Sequence, residues 1–486
     1  MVDSGSKEVF SNFSWNFLGK ITVFSLKFVT VPILARLLTP EDFGAVAVAL
    51  MIIGFLSMLG SGGLGASLII QRGDDKLSYD TVFWVNVFFS AIAVGVLYTS
   101  SANIANFMEA PKSEPIIQAL SLLVPLYLCS GVNYAILSKR MQFKADAFWS
   151  AVSEVVAALC AIYLAYNDFG VWALVWQQYI SATLRLVGVS YSVRYLPGLQ
   201  FSVEKLKSLW GNSYRLMSSD IIHYMIYESP LFFITKGIGL SAAGSFTVAN
   251  NFTQLPSKIF NGALSGVLLP AFSKLQDDVN RAAVACIKSI RITNIILAPM
   301  MLGIWALSEP ITKMMFGEQW LHIIPVIGLL ALAYAVSAPT SGYVPYLKGM
   351  GFTSVLLRIA LIRMVTTVII IYMATQYGSL IHTMYALVAI RAVTTIGYSA
   401  YVFITSKLPV FSSMVVTLRP LALSAVMAVL VRIAYVFYSE AITQPIVQII
   451  VGAALGAMLY AILLLLFEFK FIKSILLSLY NKSVVK

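Results

Sequence analysis

Residues 219 to 230 read SDIIHYMIYESP, and Asp220, His223, Tyr224, Tyr227 and Glu228 in them fall at i, i+3, i+4, i+7 and i+8. That spacing gathers them on one face of a helix. Two carboxylates and an imidazole inside an otherwise apolar run can pair with cations or carry a proton or sodium ion. Between residues 11 and 36, Asn16, Lys20 and Lys27 share a face at i, i+4 and i+11. Thr247, Asn250, Asn251, Gln254, Lys258 and Asn261 form a longer stripe, whose amides and lysine suit sugar hydroxyls and an anion. Glu154 and Arg185 add one more acid and one more base within apolar runs.

The elements that must position these groups are membrane helices. Of 486 residues, 59% are hydrophobic and 11% charged, and the mean hydropathy is +0.85. A soluble domain carries about 25% charge. Apolar runs of about 20 residues recur along the chain with short breaks, which indicates helices rather than barrel strands. Fourteen spans are expected: 11–36, 43–70, 79–106, 115–138, 147–166, 170–193, 211–235, 241–272, 284–307, 323–347, 354–376, 379–405, 413–438 and 446–468. No soluble domain is left over, and the first apolar run reads as a retained helix rather than a cleaved signal. Cys129, Cys160 and Cys286 show no metal-ligand spacing. HExxH, paired cysteines and a nucleophile elbow are absent, and the outer loops are too short for an active-site domain, so neither an enzyme nor a metal centre is expected. Gly60-Ser-Gly-Gly-Leu-Gly65 follows no strand and reads as a kink or close helix contact rather than a phosphate loop.

Charge placement gives orientation. Counting Lys and Arg on alternate sides puts 22 on the side of the N-terminus and 4 on the other. The positive-inside rule then places both termini in the cytoplasm. The net charge of +12 is thus mainly an anchoring device, with no nucleic-acid motif around it. Residues 198–210 and the tail from Phe469 to Tyr480 mix Leu, Phe and Trp or Tyr with Lys, as helices lying at headgroup level do. Seven basic residues stay inside spans (Lys20, Lys27, Arg185, Lys258, Arg363, Arg391 and Arg432), against the acids Glu154, Asp220 and Glu228. Charges at that depth are costly and face a wet cavity or one another. Lys20 is near enough to its span end to snorkel, and packing roles compete for the three later arginines. The membrane interior is therefore cationic.

The chain also repeats itself. At an offset of 200, Gly44, Val48, Ala49, Ser57, Gly62, Leu64 and Leu68 recur as Gly244, Val248, Ala249, Ser257, Gly262, Leu264 and Leu268. Residues 139–143 (KRMQF) are echoed by 348–352 (KGMGF) at an offset of 209. Six spans separate the copies, an even number, so the halves run parallel about an axis along the membrane normal. The same offset sets Lys20 opposite Asp220.

The stretch from Ala35 to Gly44 (ARLLTPEDFG), Ser257-Lys-Ile-Phe-Asn-Gly262, and Leu268-Leu-Pro-Ala-Phe-Ser-Lys274 resemble Wzx-type polysaccharide flippases of the multidrug/oligosaccharidyl-lipid/polysaccharide exporter superfamily, in the branch that includes colanic acid exporters. The resemblance implies two six-helix bundles around a V-shaped central cavity, two extra C-terminal helices, and alternating access in the bacterial inner membrane. It further implies an undecaprenyl-diphosphate-linked oligosaccharide substrate, moved from the cytoplasmic to the periplasmic leaflet and driven by a proton or sodium gradient, with no resident cofactor. Polysaccharide polymerase and chain-length machinery are the expected partners. The expected organisation is residues 1–196 and 211–407 as bundles, 197–210 as an interfacial linker, and 408–486 as two further spans with a basic tail. Lys20, Lys27, Arg185, Asn250, Asn251, Gln254 and Lys258 are the expected substrate-binding residues. Asp220, His223, Glu228 and Glu154 are expected to pair charges or couple an ion. A peptidoglycan-precursor flippase and a drug/cation antiporter of the same fold are the rival readings, the second disfavoured by the basic excess.

Overall fold

The computed structural model describes residues 2–71, 73–405 and 410–469, together with Phe471 and Lys473. Arg72, the turn at 407–409 and most of the expected basic tail lie outside the described residues, as do the side chains of Lys7, Asn16 and Arg215. Among the described residues every regular element is a helix. In chain order the α-helices are α1 (Val2–Leu37), α2 (Pro40–Ser61), α3 (Leu64–Ile70), α4 (Lys76–Phe107), α5 (Glu114–Leu120), α6 (Leu123–Lys139), α7 (Phe143–Tyr166), α8 (Trp172–Val193), α9 (Val203–Gly237) and α10 (Leu240–Thr253). There follow α11 (Leu255–Ser273), α12 (Val279–Ala306), α13 (Ser308–Met315), α14 (Ile324–Ser337), α15 (Thr340–Gly349), α16 (Thr353–Thr375), α17 (Leu380–Thr405), α18 (Val410–Ser439) and α19 (Pro445–Phe467). They form two compact units, Met1–Leu255 with Leu357–Ala386, and Pro256–Leu356 with Leu387–Lys486.

Local chemistry sets the boundaries. Thr39 caps α2 reciprocally with Asp42, Pro40 sits in the first turn where its missing N–H costs nothing, and Gly62 ends the helix at φ 50°. Asp75 and Ser202 cap α4 and α9 with their side chains.

Nine helices among the described residues are long and apolar enough to cross a membrane, ten if Pro111–Leu120 and Leu123–Lys139, bent by 42°, make one span. The expected fourteen is not confirmed among the described residues, although helices stand at all fourteen positions. The four outside the count are α1, α8, α9 and the α10–α11 pair. These carry Lys20 and Lys27, Arg185, the stripe from Asp220 to Glu228, and the amides with Lys258.

Two other expectations change. Residues 203–210 are not a separate interfacial helix but the first turns of the 35-residue α9, because Gly211 alone costs only about 1 kcal/mol in a helix and nothing else interrupts the run. The eighth span is broken at Gln254, ahead of Pro256, which can neither donate to the ladder nor tolerate a helical predecessor well.

The offset of 200 has a structural counterpart within the first unit. A Cβ on Gly44 would overlap the carbonyl oxygen of Leu240, and one on Gly244 would overlap that of Pro40. Equivalent residues make equivalent contacts, and α2 and α10 approach at backbone distance, as small residues allow in membrane helix pairs. Val48, Val248, Ala49 and Ala249 are fully buried. The second echo is in register at 210 rather than 209. Met141 (φ 54°) matches Gly351 (φ 78°), and the Gln142 and Phe352 amides donate back to the carbonyls of Leu137 and Leu347.

In the second unit the large fully buried side chains are Trp320, Tyr343, Tyr346, Phe272, Phe316 and Phe403. On the outside, apolar side chains such as Leu159, Tyr163, Ile362 and Leu466 stay more than 60% exposed, as surfaces meant for hydrocarbon do.

Candidate functional site

The first unit gathers charge on α7. Glu154, 7% exposed, forms an ion pair with the Lys27 ammonium of α1 at 3.9 Å. Eight residues earlier on the same helix face, Asp146 accepts from Arg185 of α8 at 3.0 Å. The Arg185 guanidinium also lies 6.0 Å from the Tyr134 ring. Lys27, Arg185 and Glu154 were anticipated, but as separate groups; the structure joins them along α7. Asp146 was missed because the seventh helix begins at Phe143 rather than Ala147, and its i, i+8 relation to Glu154 was the signal available. Lys27 remains about half exposed, so the pair leaves a cation on an accessible face.

The stripe on α9 divides. Tyr224 donates to the Met51 carbonyl and packs over Gly54 and Phe55 of α2, so it is a packing residue. Asp220, His223 and Tyr227 are exposed and Glu228 half-buried. Arg363 from α16 faces the Tyr227 ring at 5.9 Å. Lys20 is exposed, and among the described residues no ion pair joins it to Asp220. The amide stripe divides too. Asn250, Asn251 and Gln254 belong to the first unit, with Gln254 donating to the Asn251 side chain at 3.1 Å. Lys258 and Asn261 belong to the second, where Asn261 accepts from Ser341. The helix that would carry all six residues is broken at Gln254.

The later arginines have structural neighbours in the second unit. Arg391 rests on Tyr334 at 4.1 Å and donates to Ser337. Arg432 lies 3.8 Å from Glu309 and donates to the Ala306 carbonyl. A cluster with no sequence signal lies at the end of α19, where the fully buried Glu468 meets Arg291 of α12 and, at 3.9 Å, Arg419 of α18. Partners 177 residues apart cannot be read from spacing.

The segment between α8 and α9 is clasped to the start of α4. Asp80, fully buried, accepts from the Tyr195 hydroxyl and the Gly198 amide; Trp84 donates to the Gly198 carbonyl and the Ser202 amide to Thr81. Lys205 closes the set on Asp75 at 2.9 Å. The Lys205 hydrogen bond, with help from Ser78, holds the Asp75 carboxyl below its ordinary value, and Asp75 in turn raises the Lys205 ammonium.

Nine or ten helices long and apolar enough to cross a membrane among the described residues define a polytopic membrane protein. The solved structure of the lipid II flippase MurJ in an inward closed conformation matches it with a TM-score of 0.74, covering 95% of this chain and 99% of that one at 16% identity, a likeness of fold. The family described as polysaccharide biosynthesis protein matches residues 33–325, and the chain belongs to it. The succinoglycan biosynthesis transport protein ExoT of Rhizobium meliloti (strain 1021) is 38% identical over 471 residues, 97% of this chain and 95% of that protein. The lipopolysaccharide biosynthesis protein WzxC of Escherichia coli (strain K12) is 25% identical over 328 residues, 67% of each. The resemblance carried by the motifs around Pro40 and Ser257 is thereby established, and the protein is a multi-pass membrane protein.

Proposed function

We propose that the protein is a flippase that moves lipid-linked oligosaccharide repeat units of a surface polysaccharide from the cytoplasmic to the periplasmic leaflet of a bacterial inner membrane. The observation that carries this reading is the end-to-end likeness to a succinoglycan transport protein. It is a transporter rather than an enzyme. Both termini are cytoplasmic by the 22 to 4 distribution of Lys and Arg. The bodies that alternate are residues 1–196 and 211–407.

The cations on and between the helices fit the substrate. A diphosphate entering a low-dielectric path loses hydration worth many kcal/mol, and Lys20, Lys27, Arg185 and Lys258 offset that loss. Asn250, Asn251 and Gln254 contact sugar hydroxyls. Glu154 holds Lys27 when substrate is absent and releases it to the diphosphate. Asp220, His223 and Glu228 then bind the coupling proton or sodium ion in one conformation more tightly than in the other, which is the only way an ion can drive the exchange. Polymerase and chain-length proteins receive the product. The peptidoglycan-precursor reading has the MurJ fold in its favour, but that likeness is at 16% identity. A drug/cation antiporter would need an acidic interior.

In a strain lacking the chromosomal copy, wild-type plasmid restores the polysaccharide, whereas Lys27→Ala and Lys258→Ala restore about one tenth or less at equal membrane abundance. Full restoration by both variants would contradict the cationic site.

A further inference from the structure

A cavity of about 710 Å³ opens between α1, α7 and α8, wholly within the first unit and away from the lysine face of α1. On α1 its wall is Trp15, Gly19 and Thr22, at i, i+4 and i+7, roughly a third of a turn from Lys20 and Lys27. On α7 it is bounded by Lys144, Phe148 and Ala151. Small side chains make the hollow: Gly19 packs directly on Ala147, and Gly188 of α8 lets Trp149 lie flat against the helix, its indole donating to Ser192 at 3.0 Å. Lys144 stands at one end, with its ammonium 5.2 Å from the Trp15 ring centre. From Phe148 an apolar stripe continues along the exposed face of α7 through Val155, Leu159 and Tyr163. That stripe is about 22 Å long at 1.5 Å per residue, more than the ~15 Å of one leaflet.

We propose that this cavity binds one anionic glycerophospholipid of the bilayer, its phosphodiester on Lys144 and one chain along α7. The shape matches an amphiphile: a single cation beside neutral polar groups at one end, two tryptophans of the kind that sit at headgroup level, and an apolar track leading away. Charge selects the occupant. One lysine balances the single charge of a phosphodiester, whereas the diphosphate carrier of the transported oligosaccharide would bring at least twice that charge to the same ammonium. Seated here, the lipid is a wedge between α1 and α7, the two helices joined by Lys27 and Glu154. The site therefore goes beyond the transport reading and does not depend on it.

The full chain, transferred from nanodiscs of equal phosphatidylglycerol and phosphatidylcholine, is analysed by native mass spectrometry. Wild type retains one phosphatidylglycerol in preference to phosphatidylcholine. Lys144→Gln lowers that retention about tenfold, the worth of one charge-assisted contact, and Lys144→Arg keeps it. Ala151→Trp, which fills the hollow and leaves the charge in place, abolishes it even if Lys144→Gln proves unstable. Equal retention of the two lipids by wild type, or unchanged retention in the variants, overturns the proposal. So does displacement of phosphatidylglycerol by an equimolar polyprenyl diphosphate. Transport enters none of these readings, so they fail separately from the flippase assignment.

Discussion

Glu154 shows how a membrane-embedded acid is paired with a base that stays accessible. Its carboxylate is almost fully buried, yet its partner Lys27 is half exposed. Removing the lysine strands a charge; removing both groups does not. Lys27→Ala should lower stability in detergent by about 1–2 kcal/mol, discounted for the exposure of the pair, and the added change Glu154→Gln should recover most of it. Polysaccharide export should stay lost in the double variant. Thermal melting and a complementation assay side by side separate the two effects, and recovered export would assign the pair a purely structural role. Residues of this kind were legible because a charge interrupting an apolar run stands out at once. Asp146 was hidden by a helix start misplaced by four residues. Glu468, Arg291 and Arg419 were hidden because nothing local distinguishes a buried acid after an apolar helix from an exposed one.

Among the elements, close helix approach and the clasp on α4 dominate. The Gly44 and Gly244 crossing admits no side chain, so Gly44→Ala should cost about 3 kcal/mol as overpacking against a backbone carbonyl. Gly65→Ala, in open space, should be nearly neutral. Folded yield after detergent extraction distinguishes the pair, and equal yields would remove the crossing as a constraint. The clasp has a definite pH window. Asp75 has a depressed folded pKa, so its contribution is present above the ordinary 3.8 and fades as pH falls through the folded value. Lys205 has a raised one, so its contribution is present below 10.5 and fades as pH rises through the folded value. Hydrogen exchange across residues 195–205 should therefore be flat between about pH 5 and 9, after correction for intrinsic rates, and rise at the acid and the alkaline extremes. A marked change near neutrality would point to another group. Element positions were legible from apolar runs, although α2 starts at Pro40 rather than the expected 43. The continuity of α9 was not, because Lys and Trp in its first turns imitate an interfacial helix. The break at Gln254 was legible in principle from Pro256, but the regular amide spacing on either side concealed it.

At the scale of the whole molecule, composition and the period of apolar runs were sufficient for the class, and the repeat at 200 survives as a reciprocal contact between α2 and α10. The count of spans among the described residues leaves out the helices with Arg185, Asp220 and Lys258, which are more polar than the lipid-facing segments. On the proposed function, a helix lining a path for a diphosphate and sugars would be less apolar than one that only meets hydrocarbon. The central claim is that this chain carries lipid-linked repeat units between leaflets. Its most direct test is deletion of the gene followed by mass spectrometry of lipid-linked intermediates, with leaflet assignment by a membrane-impermeant glycan label. Complete single repeat units should accumulate on the carrier, protected from the label in intact cells, and plasmid-borne wild type should clear them. Unchanged intermediate levels, or a pool already accessible from outside, would contradict the account.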